Sequence, residues 1–130
     1  MAADIERERM ERLLDAHAAL MKRYLSHCMH CSMCAESCFM YMNKGKDPKY
    51  MPSYKVINSV GRLYKRRGRI DRRLLEQIKP IVFRHCVLCQ RCYCPVGVSV
   101  PRMIALARAV CRAGGVFPTV DAQGRHESWL

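Results

Sequence analysis

The sequence predicts an all-α domain stapled by metal, and three observations carry that expectation. No segment alternates apolar and polar residues at period two, whereas several repeat apolar residues at three- and four-residue steps. Nine cysteines in 130 residues are far above ordinary usage, and eight of them sit in two tight runs. Three Phe and one Trp leave little for a large aromatic core, and a small chain with a thin core needs disulfides or metal. The opening stretch MAADIERERMERLLDAH has no apolar signal region. No segment approaches the roughly 18–20 apolar residues of a membrane span. The expected setting is the cytoplasm, where thiols stay reduced, and an odd cysteine count leaves one outside any pairing. Metal is the expected staple.

Taken in order, residues 4–25 read as an amphipathic helix capped by Asp4, with Met10, Leu13, Leu14, His17, Met21, Tyr24 and Leu25 on one side. Such a stripe either packs on the domain or serves as a docking arm. The first cysteine run leads into a short helical segment to about Tyr41, then a polar turn from Asn43 to Pro48. Pro52-Ser53 opens the next helix, with Ser53 as its expected cap and Val56, Ile57, Val60, Leu63 and Tyr64 along one face. Gly68 breaks it. Asp71 caps a further helix carrying Leu74, Leu75 and Ile78, bent or ended near Pro80. A helix over 101–112 stops at Gly114-Gly115. The expected organisation is a helical arm over 1–25, a metal-bearing domain over 26–114 and an irregular tail over 115–130.

The first run, Cys28, Cys31, Cys34 and Cys38, reads C-x-x-C-x-x-C-x-x-x-C, the bacterial-type ligand pattern of a [4Fe–4S] cluster. In two-cluster proteins the fourth Cys serves the other cluster, so a second run is required. Cys86, Cys89, Cys92 and Cys94, followed by Pro95, supply it. The crossed assignment gives cluster I to Cys28, Cys31, Cys34 and Cys94, and cluster II to Cys86, Cys89, Cys92 and Cys38. Metal would then staple the two halves of the chain and contribute much of the folding energy. The second run departs from the pattern, with Tyr93 alone between Cys92 and Cys94. In extended backbone these two point to opposite sides, which suits ligands of different clusters. Cys111 could replace Cys94 only if its helix folded back. His27, His30 and His85 are expected as donors beside the clusters rather than as ligands. The alternative is zinc, with Cys28/Cys31 and Cys86/Cys89 forming one Cys₄ site.

The formal charge is +12. It concentrates between the runs, at Lys44, Lys46, Lys49, Lys55, Arg62, Lys65, Arg66, Arg67, Arg69, Arg72 and Arg73. Each oxidised cluster with four thiolates brings about −2, so the loaded protein stands near +8. The excess fits docking onto an acidic partner better than binding nucleic acid, since few aromatics interleave with it. A zinc-stapled nucleic-acid module using residues 44–73 and a free soluble ferredoxin are the competing readings. The methionines Met29, Met33, Met40, Met42 and Met51 read as soft packing around sulfur and partner surface.

The stretch C-M-H-C-S-M-C-A-E-S-C (28–38), Lys46-Asp47-Pro48-Lys49-Tyr50-Met51-Pro52 with Tyr54-Lys55, and C-V-L-C-Q-R-C-Y-C-P-V-G-V (86–98) with Arg102-Met103-Ile104 resemble heterodisulfide-reductase C-type iron–sulfur subunits. The cysteine motifs are shared across α-helical ferredoxins, including succinate dehydrogenase iron–sulfur subunits; the Asp-Pro-Lys-Tyr segment is the narrower pointer. The resemblance covers roughly residues 25–112. It implies an α-helical ferredoxin fold and a non-catalytic subunit relaying electrons through two [4Fe–4S] clusters. Its implied partners are a flavin-bearing A-type subunit and a cysteine-rich B-type subunit that acts on disulfide, thiol or sulfur compounds. No catalytic residue is expected on this chain.

Overall fold

The computed structural model describes residues 2–118, with side chains from Arg7 onward. Six α-helices follow in order: α1 (Ala2–His27), α2 (Met33–Glu36), α3 (Phe39–Asn43), α4 (Pro52–Lys65), α5 (Arg72–Phe83) and α6 (Val100–Ala113). A 3-10 turn over Pro48–Tyr50 joins α3 to α4. Among the described residues there is no strand, so the all-α expectation holds. The tail expected over 115–130 lies mostly outside the described residues. Its first part is fastened, with the Val116 amide bonded to the Cys111 carbonyl at 2.8 Å and Val116 buried.

Helices α1, α4, α5 and α6 form the bundle, each contributing one apolar stripe. Met10, Leu14 and Met21 of α1 are buried against α4 and α6, so this stripe packs on the domain. Val56, Val60 and Leu63 of α4 meet Leu74, Leu75, Ile78 and Val82 of α5 and Met103, Ile104, Ala107 and Val110 of α6. The centre is therefore aliphatic and continuous, made of Leu, Ile, Val and Met rather than aromatic rings. A thin core substituted by metal was the expectation; branched residues at helical spacing fill it instead.

Three boundaries differ from the sequence reading. Helix α1 begins at Ala2, which places Asp4 inside its first turn rather than at its cap. The alanines before Asp4 favour helix, and an acid in the first turn complements the helix dipole. Helix α4 is preceded by Met51, with Pro52 at its first position, so Ser53 is not the cap. Helix α5 runs through Pro80 to Phe83, because only one turn follows the proline and Val82 in that turn is buried. Asp71 caps α5 as expected, accepting the Leu74 amide at 2.9 Å. Gly114 and Gly115 end α6, and a side chain on Gly114 would run into buried Leu75.

The two cysteine runs lie outside the bundle, in the turns around α2 and in the irregular segment between α5 and α6. Because α1 packs through Leu14, Leu14→Ala should lower stability by about 2–5 kcal/mol, the range for a buried Leu-to-Ala change. Exposed Arg12→Ala should stay within about 0.5 kcal/mol. Urea unfolding of both variants at equal iron content checks this.

Candidate metal centre

Each run must turn its thiols inward without a helix to hold them, and the backbone shows how. His30 and Ser32, on either side of Cys31, have φ of 54° and 63°; Leu88 and Gln90, on either side of Cys89, have φ of 52° and 62°. Four non-glycine residues in the left-handed region, at matching places in both runs, are strain of about 1–3 kcal/mol each that persists only where surroundings enforce it. Such reversals turn successive N–H groups into one concavity, a device that binds anions and iron–sulfur groups. The two runs are thus a structural repeat built from different residues.

The thiols divide into two quartets. One pocket is lined by Cys38, Cys86, Cys89 and Cys92; we call it pocket II. Two adjoining hollows share Cys28, Cys34, Ser53 and Cys94 in their walls, and one of them adds Cys31; together these form pocket I. Each quartet therefore takes three cysteines from one run and one from the other. The short Cys92–Cys94 spacing does not prevent this, since the two neighbours line different pockets.

Helix α4 begins between the pockets. Pro52 and Lys55, three apart, line pocket II. Ser53, Val56 and Ile57, at steps of three and four, line pocket I. Residues two apart on a helix do not share a face, so the first turn of α4 is a partition, and a helix with side chains is about 10–12 Å across. The halves are also tied directly. The Tyr93 amide donates to Ser37 Oγ at 3.0 Å; within the first half, the Cys38 thiol donates to the Tyr50 carbonyl at 3.6 Å. Tyr50, in the Asp-Pro-Lys-Tyr segment, stacks at a tilt on His85 with ring centroids 4.7 Å apart.

Electrostatics differ between ligand thiols according to burial. Cys92 is pushed up to about 11, first by burial and then by the crowding of Cys86, Cys38 and Cys89. Burial also raises Cys34, opposed by hydrogen bonds from the Ser53 amide and hydroxyl. Ser53, expected as a helix cap, thus serves a thiol. Cys31 and Cys89, the middle cysteine of each run, are exposed. Cys111 is wholly buried in the core, its thiol pushed up to about 12 by burial, and it lines neither pocket.

Lys55 is the residue the sequence reading placed wrongly. Counted there in a surface stripe, it is 1 % exposed. Its Nζ lies 3.6 Å from Cys38 Sγ and donates to the His85 carbonyl at 3.1 Å. Among the described residues no carboxylate pairs with it. The signal was present: Lys55 shares helical spacing with Pro52 and Ser59, both buried. Half-buried Arg108 adds a second cation, donating to the Val82 and Cys86 carbonyls at 2.6 and 2.5 Å, its pKa lowered by burial. Of the three histidines expected beside the sites, His27 and His30 are exposed. His85 packs on Tyr50, and burial with nearby Lys49 and Lys55 holds it below its usual pKa.

A buried ammonium without a carboxylate calls for negative charge, and four thiolates around a cluster supply it. The zinc alternative fits poorly. Four sulfurs around zinc lie within about 3.8 Å of one another, given Zn–S near 2.3 Å. Here Cys28/Cys31 and Cys86/Cys89 line different pockets, and among the described residues no three His, Cys, Asp or Glu side chains gather to hold a single ion. Thiols that face each other across a hollow suit a larger group.

A family model for the 4Fe-4S dicluster domain matches residues 24–98, more than half of the chain. The chain belongs to that family. No curated protein and no solved structure matches it significantly. A dicluster domain carries two [4Fe–4S] clusters, and its role is electron transfer, each cluster supplying a one-electron couple. The chain's own contribution is thiolates, amides at the concavities, buried cations and walls that limit water.

Because the bundle core is built mainly of Leu, Ile, Val and Met from the helices, with only Cys86, Leu88 and Cys92 of the second run packed on it, removing iron with a chelator should leave α1, α4, α5 and α6 folded. Segments 28–51 and 84–99 should lose order. Hydrogen exchange on the apo- and holoprotein should show protection falling in those two segments by at least tenfold, with Val60, Ile78 and Ile104 amides little changed.

Proposed function

We propose that this chain is a C-type electron-relay subunit of a heterodisulfide-reductase-like complex. Pocket I holds its cluster through Cys28, Cys31, Cys34 and Cys94, and pocket II through Cys86, Cys89, Cys92 and Cys38. The observation that carries this reading is the three-plus-one division of eight cysteines between two pockets, as crossed ligation requires. The pockets are neighbours, with Val100 lining both, which suits electron exchange between them. The exposed middle cysteines give each site an edge at the surface.

The chain works beside a redox partner, and the proposed partners are a flavin-bearing A-type subunit and a cysteine-rich B-type subunit in the cytoplasm. Large apolar residues are exposed around both runs, with Met29 71 %, Val87 54 % and Tyr93 57 % accessible. These suit contact with other subunits. Among the described residues no helix is long and apolar enough to cross a membrane. Part of the basic stripe is already used within the fold: Arg67 covers Tyr64 at 4.0 Å, and Arg72 pairs with Glu76 at 3.6 Å. That leaves less for nucleic acid than the sequence implies.

Anaerobic affinity purification from native cells should bring down a flavoprotein and a second cysteine-rich iron–sulfur protein in near-equal amounts. Isolation as a free monomer would favour a soluble ferredoxin, and zinc in place of iron would overturn the reading altogether. Cys94→Ser should convert or deplete one cluster, reducing iron from about eight to between four and seven per chain, while the other cluster's paramagnetic resonance signal persists. Unchanged iron and spectrum would exclude Cys94 as a ligand.

A further inference from the structure

The two pockets are alike in cysteines and backbone turns, yet unlike in charge. Pocket I is lined by Tyr24, His30, Ser32, Ser53, Tyr93 and apolar side chains, with no lysine or arginine in its walls. Its positive potential comes from the start of α4, through the Ser53 amide and hydroxyl at Cys34, and a helix N-terminus amounts to about half a charge. The start of α6 borders both pockets, Val100 lining each and Pro101 lining pocket II. Pocket II has in addition the whole charge of Lys55, buried at 1 % exposure with its Nζ 3.6 Å from Cys38 Sγ. Arg108 reaches the carbonyl of a second cysteine of that quartet, Cys86. A full charge in a site with little water outweighs a half charge, and positive charge beside a redox group favours its reduced, more negative form.

We propose that Lys55 sets the order of reduction, its buried ammonium making the cluster in pocket II the one of higher potential. This rests on the crossed ligand assignment. A single electron given up by a one-electron donor then settles at pocket II, the donor being oxidised by one electron and that cluster reduced by one. The cluster in pocket I takes an electron only from a stronger reductant. The asymmetry decides which pocket holds the first electron, while the donor and acceptor at either end set the net direction of flow.

The test is a redox titration of the anaerobic holoprotein with dithionite, followed by electron paramagnetic resonance. Wild type should show two separated midpoints, with Cys94→Ser and Cys38→Ser identifying which signal belongs to which pocket. Lys55→Met should lower the pocket II midpoint by about 59 mV or more, a tenfold change in a one-electron equilibrium, and leave pocket I nearly in place. Lys55→Gln should act alike, and exposed Lys65→Met should shift neither by that amount. The proposal is overturned if both Lys55 variants keep their iron and their midpoints, or if Lys65→Met shifts as much. It is also overturned if pocket II is the lower of the two in wild type, or if both Lys55 variants lose that cluster, which would make Lys55 a support for assembly. If neither cysteine variant disturbs a signal, the ligand assignment itself has failed, a result visible before any lysine variant is titrated.

Discussion

The sharing of cysteines from both runs in each of two pockets is the constraint on which the rest of the structure depends. Cys38 lies with the second run in pocket II and Cys94 with the first in pocket I, so segments far apart in sequence lie side by side. The first turn of α4 is held between the pockets, presenting Ser53 to one and Lys55 to the other. The Asp47-capped turn carries Tyr50 to His85, just before the second run. The Tyr93 amide closes on Ser37.

The bundle and the sites divide the work of stability. Helices α1, α4, α5 and α6 bury a continuous aliphatic core of a kind that a zinc finger lacks. The clusters instead order the segments that the bundle leaves irregular, where four left-handed non-glycine residues store strain. Strain of that kind is tolerated at a functional site because thiolate–iron bonds and amide concavities hold it.

Much of this was legible in the sequence, for physical reasons that can be named. Helical stripes such as Val56, Val60 and Leu63 are set by a 3.6-residue period, and Asp71 and Gly114-Gly115 are strong local stops. The spacing of the cysteine runs reflects ligand number, and even the irregular Cys92–Cys94 step follows from neighbours facing opposite ways. Less legible were effects of tertiary packing. Ser53 looks like a cap until Cys34 is seen beside it, and Lys55 looks like surface charge until the buried face of α4 is traced. The aliphatic core was underestimated because aromatic count is a poor guide to what Leu, Ile, Val and Met can fill. The +12 charge is likewise a sum over unlike residues: some cations cover rings or pair with acids, one is buried at a cluster site, and the remainder suit docking.

The most direct test of the crossed arrangement is a crystal structure of the anaerobically prepared holoprotein with anomalous data at the iron edge. The account predicts two iron centres on opposite sides of the first turn of α4. One lies among Cys28, Cys31, Cys34 and Cys94, and the other among Cys86, Cys89, Cys92 and Cys38. A single metal peak between Cys28/Cys31 and Cys86/Cys89, or two centres each ligated wholly by one run, would contradict it.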